Sequence, residues 1–272
     1  MSLSHLKVLV TGASSGIGKA TCQVLSKEGA AVVGTGRNTD ALEALKEEGS
    51  LFGYVVGDIS QPGECQRIVV DAAVNLLDGT LTTVINAAGG LRGGAVGDCD
   101  LENYEYNMTV NCKAPFEIMT AAIPFLKKCS EVANSETDNA KRHFPSIVTV
   151  SSVNGKQSFA GCATYCMAKA AVDQMTRCAS VDLAKWGIRV NNVNPGVIKT
   201  NLHRTAGMNA DAYDKFLERS INQTHPLSTS LGRVGEPEEV AELIAFLVSD
   251  KAQFITGECI AIDGARQNLG AR

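Results

Sequence analysis

Short apolar runs alternate with stretches of helical spacing along almost the whole chain. The runs are Leu6-Lys7-Val8-Leu9-Val10, Ala31-Val32-Val33-Gly34-Thr35, residues 51–56, residues 81–85, Ser146-Ile147-Val148-Thr149-Val150, residues 188–193 and residues 258–262. Near-continuous apolar character over so few residues suits a parallel strand buried on both faces. Between the runs, Ile17, Thr21, Val24, Leu25 and Glu28 recur at helical spacing, and Gly29 ends the pattern. Further helices are expected over 40–48, near Pro62, over 101–128, over 163–184 and over 237–249, the last opened by Pro237, Glu238 and Glu239. Two segments break the rhythm. Residues 129–145 are polar and aperiodic and read as an exposed insert. It joins a helix's end to a strand's start, opposite the edge where ligands sit. Residues 199–232 are irregular and read as a substrate lid. Leu202, His203 and Met208 are its candidate pocket walls, and His203 is read as lid surface rather than as a catalyst.

Composition narrows the function classes. The 272 residues carry 44% hydrophobic and 20% charged positions, enough for one sizeable core, read as a single domain over 1–272. The net charge of −4 gives nucleic-acid binding no support. No apolar run reaches the length needed to span a membrane, and the N-terminus has no signal-like apolar stretch. Nine cysteines, with no C-x-x-C pair, suggest free thiols in a reducing, cytoplasmic setting. The four histidines are scattered along the chain, and no metal site is expected.

The chemistry begins at Thr11-Gly12-Ala13-Ser14-Ser15-Gly16-Ile17-Gly18, between the first strand and the first helix. Gly12 permits a tight turn, and Gly16 and Gly18 let a diphosphate approach backbone N–H groups at the helix's positive end. The spacing is G-x-x-x-G-x-G, so Ser14, Ser15 and Ile17 complete a candidate dinucleotide loop. After the second strand stand Gly36 and Arg37, where an acid would hold a ribose 2′-hydroxyl. A guanidinium there would grip a 2′-phosphate, which favours NADP(H), with NAD(H) as the alternative. Asp58 and Ile59 follow the third strand. Asp58 either meets an adenine amino group or caps the next helix. Asn86, Ala87, Ala88 and Gly89 follow the fourth strand and suit close passage of a ribose. Pro195, Gly196, Val197, Ile198 and Thr200 follow the sixth, where a nicotinamide would lie.

Tyr165 and Lys169 are four residues apart, so on a helix they share one face. An ammonium about 5 Å from a phenol, at an effective dielectric of ~20, contributes about 3 kcal/mol, or roughly two pKa units. Lys169 is therefore expected to lower the Tyr165 pKa and let the phenol exchange a proton with a substrate oxygen. Ser152 lies at the end of an apolar run and is placed to hydrogen-bond that oxygen. Asn111, inside the 101–128 helical pattern, is a candidate holder of a relay water. An apolar stripe of Ala168, Val172, Met175, Ala179 and Leu183 suggests that this helix packs against a partner's.

Together these motifs resemble the short-chain dehydrogenase/reductase family over nearly the full length. They are Thr11-Gly12-x-x-x-Gly16-x-Gly18, Asp58, Asn86-Ala87-x-Gly89, Asn111, Ser152, Tyr165-x-x-x-Lys169, Asn194-Pro195-Gly196 and Ile262-Asp263-Gly264. The resemblance implies an α/β fold, a doubly wound (Rossmann) seven-stranded sheet with helices on both faces. It also implies a tetrad of Tyr165, Lys169, Ser152 and Asn111, and a homotetramer or homodimer formed through two central helices. The implied activity is NAD(P)-dependent interconversion of a small-molecule carbonyl and a secondary alcohol. The motifs do not separate 3-oxoacyl-carrier-protein-reductase-like from sugar or steroid dehydrogenase-like enzymes. A non-catalytic NADP-binding regulator is the rival reading. A methyltransferase on a related sheet would leave Tyr165 and Lys169 without a role.

Overall fold

The computed structural model describes residues 2–138 and 142–269. Seven strands form one sheet: β1 (Lys7–Thr11), β2 (Ala31–Gly36), β3 (Gly53–Val56), β4 (Thr83–Asn86), β5 (Ser146–Val150), β6 (Arg189–Pro195) and β7 (Cys259–Ile262). Their order is β3-β2-β1-β4-β5-β6-β7, and every neighbouring pair is parallel. The order reverses between β1 and β4, and ligands of such sheets bind at the carboxyl ends of the strands beside that reversal.

Helices cover both faces. On one lie α1 (Gly16–Lys27), α2 (Thr39–Glu47) and α10 (Pro237–Val248), burying Leu25, Leu42, Leu45, Val240 and Ile244 against Val8, Val10, Val32 and Val148. On the other lie α3 (Glu64–Val70), α5 (Ala114–Ser135) and α6 (Ala163–Ala184), burying Ile68, Ile118, Leu126 and Leu183 against Leu9, Val33, Val84 and Ile147. The inner strands therefore bury both faces, which suits the apolar runs of β1, β2, β4 and β5, while the edge strands β3 and β7 are more exposed. The remaining helices are α4 (Leu101–Met108) and the short α7 (Leu202–Thr205), α8 (Ala210–Arg219) and α9 (Pro226–Leu231).

Three expectations change. The helical pattern expected over 101–128 is not one α-helix: a π-helical turn at Thr109–Lys113 separates α4 from α5. The α5 helix continues to Ser135, so the polar insert expected from residue 129 starts as helix. There Ser130 and Ala133 face inward and the polar side chains outward. Residues 139–141 of that insert lie outside the described residues. The α6 stripe is largely core: Ala168, Val172, Ala179 and Leu183 are buried in this chain, and only Met175 is half-buried. Val181 and Met167 are the exposed apolar side chains of α6.

Arg189, at the start of β6, is buried, and its guanidinium donates to the Leu247 carbonyl at 2.6 Å and the Ser249 carbonyl at 3.4 Å. It thereby binds the end of α10 to the sheet. Arg189→Ala removes those donors from buried carbonyls and should cost about 2–3 kcal/mol in urea unfolding. An unchanged midpoint would show that the carbonyls find other donors.

Candidate active site

Tyr165 and Lys169 lie on the first turns of α6, beneath the carboxyl end of β5. Tyr165 is 6% exposed and Lys169 4%. The Lys169 ammonium donates to the Val150 carbonyl at 2.9 Å and lies 5.7 Å from the centre of the Tyr165 ring. Ser152 follows β5, accepts from the Asn154 N–H at 3.1 Å and hydrogen-bonds the Tyr165 hydroxyl. The three side chains meet as their spacing predicts.

The electrostatics differ from expectation. Burial pushes the Tyr165 phenol up to about 12, and the Ser152 hydrogen bond only partly offsets this. The same desolvation pulls Lys169 down to about 8, with Asp173 and Cys112 opposing it. The expected lowering of the phenol by Lys169 is not found: loss of water is the largest effect on both groups.

Asn111 sits in the π-helical turn with its amide fully engaged. Its Oδ1 accepts from Gly90 N at 3.2 Å, and its Nδ2 donates to Gly90 O at 2.9 Å and Asn107 O at 3.0 Å. Both amide protons are used, so the side chain has no donor left for a relay water. Asn107, which the sequence reading missed, is fully buried and clamps the same loop. It accepts from Arg92 N at 3.1 Å and donates to Arg92 O and to Thr164 Oγ1, each at 2.8 Å.

The glycine turn lies against the loop after β4. A Cβ on Gly12, whose φ is +70°, would stand 2.7 Å from Ala88 Cα. Ala88 N also donates to Thr11 Oγ1 at 3.1 Å. A Cβ on Gly89 would lie 3.8 Å from the Lys169 ammonium, and one on Gly16 would lie 3.2 Å from Thr200 Cγ2. The turn at Gly12, the Asn86–Gly89 loop, Thr200 and Lys169 thus form one continuous track. The positive end of α1 opens onto it uncapped: Ser15 makes no cap hydrogen bond, and no acid stands in the first turn. The α10 helix contrasts with this, because Glu236 and Glu239 close its N-terminus in a reciprocal capping box.

At the far end of the track, Ser14, Arg37, Asn38, Thr39 and Asp40 line an open cleft. Gly36 brings no side chain there, and a Cβ on it would stand 3.0 Å from Ser14 Oγ. Arg37 makes no hydrogen bond or ion pair among the described residues. Asp58 holds an Asx turn, accepting from Ser60 N at 3.0 Å and Ser60 Oγ at 2.8 Å, and does not cap α3. Burial opposes its ionisation, but the Ser60 bonds and Arg37 hold it below the usual carboxylate range. The residues fit a nicotinamide dinucleotide: an uncapped helix end for the diphosphate, small residues beside it, and in Arg37 a basic group that makes no hydrogen bond among the described residues.

The loop after β6 has an unforeseen support. His225 is 2% exposed, and its Nε2 accepts from Val197 N at 3.0 Å. A Cβ on Gly196 would stand 2.9 Å from that nitrogen. No local motif marks His225, since only the fold brings it to residue 197. His203 is half-buried, with its ring centre 4.4 Å from that of Phe216 inside the lid region, and burial lowers its pKa. Nor are the histidines all scattered. His5, His143 and Asp250 gather at the opposite edge of the sheet, with ligand-type atoms within 4.8 Å of one another. The two rings stack at 3.6 Å with planes inclined by 17°, so their in-plane lone pairs do not converge on one ion.

Comparison with known proteins agrees with this arrangement. A family model described as Enoyl-(Acyl carrier protein) reductase matches residues 12–265. The 3-oxoacyl-(acyl-carrier-protein) reductase FabG of Thermotoga maritima is 32% identical over 269 residues, covering 97% of this chain and 98% of that protein. L-xylulose reductase of Caenorhabditis elegans is 32% identical over 268 residues, covering 96% of each. A short-chain dehydrogenase/reductase of unknown function from Caenorhabditis elegans, solved with cofactor, superposes with a TM-score of 0.84 at 29% identity, covering 98% of this chain and 96% of that one. The chain belongs to the short-chain dehydrogenase/reductase family. It is an oxidoreductase of the carbonyl–alcohol class.

Burial holds His225 down to about 4, with Arg266 adding to the effect. An unfolded histidine titrates near ~6.5, so the unfolded chain takes up this proton first. The stability from neutral His225 is complete above that value and is lost as pH falls from ~6.5 toward 4, by about 2 kcal/mol at pH 5. His225→Gln should therefore lose less stability than the wild type between pH 7.5 and 5 in parallel urea titrations. An equal loss in both would place the acid sensitivity elsewhere.

Proposed function

We propose that this protein interconverts a small-molecule carbonyl and a secondary alcohol, using NADP(H) in preference to NAD(H), with Tyr165 as the acid–base group. The carrying observation is the buried convergence of Ser152, Tyr165 and Lys169 at one end of the uncapped glycine track. The dinucleotide would be held by the Gly12–Gly18 turn with Ser14, Ser15 and Ile17, by Asp58 and Ile59, and by Asn86 to Gly89. Toward its nicotinamide end, Pro195 to Ile198, Thr200, Tyr165 and Lys169 would complete the hold. Once bound, its nicotinamide supplies hydride to the carbonyl carbon or takes it from the alcohol.

The remaining steps belong to the chain. Ser152 holds the substrate oxygen as negative charge grows there. Tyr165 gives its phenolic proton to that oxygen. A phenol held near 12 suits this role, because it stays protonated at neutral pH and an alkoxide is the stronger base. The Lys169 ammonium stabilises the phenolate left behind. Asn111 serves by fixing the Gly90 backbone beside the track, and any relay water would be held by main-chain atoms. The lid at residues 199–232 would close over the substrate.

Self-association is part of the proposal. Exposed Phe116, at 54%, borders an apolar groove with Met108, Cys112 and Met175 between the central helices, a surface suited to a second copy. A cytoplasmic setting is supported by nine cysteines that are all unpaired. Among the described residues no helix is long and apolar enough to cross a membrane.

Tyr165→Phe should lower turnover on the order of 10²–10⁴-fold, the usual worth of a positioned proton donor, while fluorescence titration shows that NADPH still binds. Retained turnover would refute the role of Tyr165. Separately, wild-type kcat/KM should favour NADPH over NADH, and Arg37→Ala should reduce it about tenfold or more for NADPH alone. Equal values for the two cofactors in the wild type would overturn the assignment of Arg37.

A further inference from the structure

Lys169 needs its positive charge in a place that removes water from it, and Val150 O offers a dipole rather than a countercharge. One turn further along α6 stands Asp173, 2% exposed and on the same helix face. A solitary carboxylate at that depth would be costly, so its surroundings indicate its role. Asn194 Nδ2 donates to Asp173 Oδ1 at 3.1 Å and Oδ2 at 2.9 Å, and Asn192 Nδ2 donates to Oδ1 at 3.1 Å. Asn192 is in turn fixed by Thr176 Oγ1 at 2.6 Å. These partners are neutral amides, which satisfy its oxygens without bringing an opposite charge.

The same network reaches Ser152. Asn194 Nδ2 also donates to the Ser152 carbonyl at 2.8 Å, and Gly155 N donates to that oxygen at 2.9 Å. A Cβ on Gly155 would stand 2.8 Å from Asp173 Oδ2 and 3.0 Å from Lys169 O, so only glycine lets this turn settle onto the helix. On the other side, Ser151 Oγ donates to Lys169 O at 3.3 Å. Asp173 thus stands where the Lys169 helix, the Ser152 turn and β6 meet.

We propose that Asp173 is a positioning residue for the Tyr165–Lys169–Ser152 site, a buried carboxylate that keeps the Lys169 ammonium charged and, through Asn194, fixes the Ser152 turn. It makes no direct ion pair with Lys169 and acts across one helical turn. The other groups facing Lys169 are the Tyr165 ring on α6 and the Cys112 thiol from the π-helical turn. Burial pushes that thiol up, so it is neutral at physiological pH. Asp173 is the larger of the two groups that raise Lys169 against desolvation, Cys112 being the other. The Cys259 thiol, from β7, donates to the Asp173 backbone carbonyl at 3.7 Å, and burial pushes it up too.

The inference rests on the dehydrogenase reading, and the experiment separates the two. Asp173→Asn and Asp173→Ser, each checked by thermal melt and NADPH titration, are assayed for carbonyl reduction across pH 5.5–10. The wild-type alkaline limb reports loss of the Lys169 proton. In both variants it should move to lower pH by about one unit or more, with kcat falling while the Kd for NADPH holds. A limb that stays in place in a folded variant overturns the proposal, since a merely structural role would lower stability without moving it. If neither variant folds, the salt dependence of the wild-type limb decides. A limb unmoved between low and 1 M salt supports a buried countercharge, and one that falls by a unit assigns the charge balance to the surface and overturns the proposal. Tyr165→Phe, run alongside, distinguishes the failures. Its retained activity sinks the dehydrogenase reading, whereas its loss beside an unshifted Asp173 limb sinks only this inference.

Discussion

A buried hydrogen bond from the Lys169 ammonium to the Val150 carbonyl joins α6 to the carboxyl end of β5. Much of the site's geometry depends on it. It sets how far α6 lies from the sheet, and so where Tyr165 stands relative to Ser152, which follows the same strand. The strand ends are themselves fixed by pairing. Thr149 sits opposite Asn86 of β4 and Asn192 of β6, so the loops after β4, β5 and β6 emerge side by side. Residues far apart in the chain become one surface because parallel strands share a direction.

The cost of this arrangement is desolvation, and it falls on both members of the pair. Phenol and amine are each driven toward their neutral forms, one up to about 12 and the other down to about 8. The helical-spacing argument counted their attraction and left out their shared loss of water. The magnitudes explain the reversal. A single charge at ~5 Å contributes about two pKa units at an effective dielectric of ~20, and full burial can exceed that. The site therefore favours a protonated phenol, which is the state a proton donor requires.

Local signals were legible in the sequence and long-range ones were not. The inner strands could be read because they bury both faces, and the glycine turn because a positive φ at Gly12 and Gly16 demands glycine. Tyr165 and Lys169 could be paired because helical spacing alone brings them together. The end of α5 was misjudged because Glu131, Asn134 and Ser135 look like loop. Amphipathic packing of Ser130 and Ala133 carries the helix through them. His225, Asn107 and Asp173 went unseen for a different reason. Each is an ordinary polar residue in sequence, and each has hydrogen-bond partners between 15 and 57 positions away.

The sheet and residues 199–232 are held together in different ways. The largest fully buried side chains run from Leu3 to Ile147, and none belongs to residues 199–232. That region is held instead by a few polar contacts: His225 to Val197, Tyr213 to the Thr200 carbonyl, and Leu227 to Gly264. Hydrogen bonds of this kind tolerate change in the side chains between them far better than a packed core does. Ser152, Tyr165 and Lys169 are thus held by elements of the packed sheet, while residues 199–232 contribute none of the largest fully buried side chains.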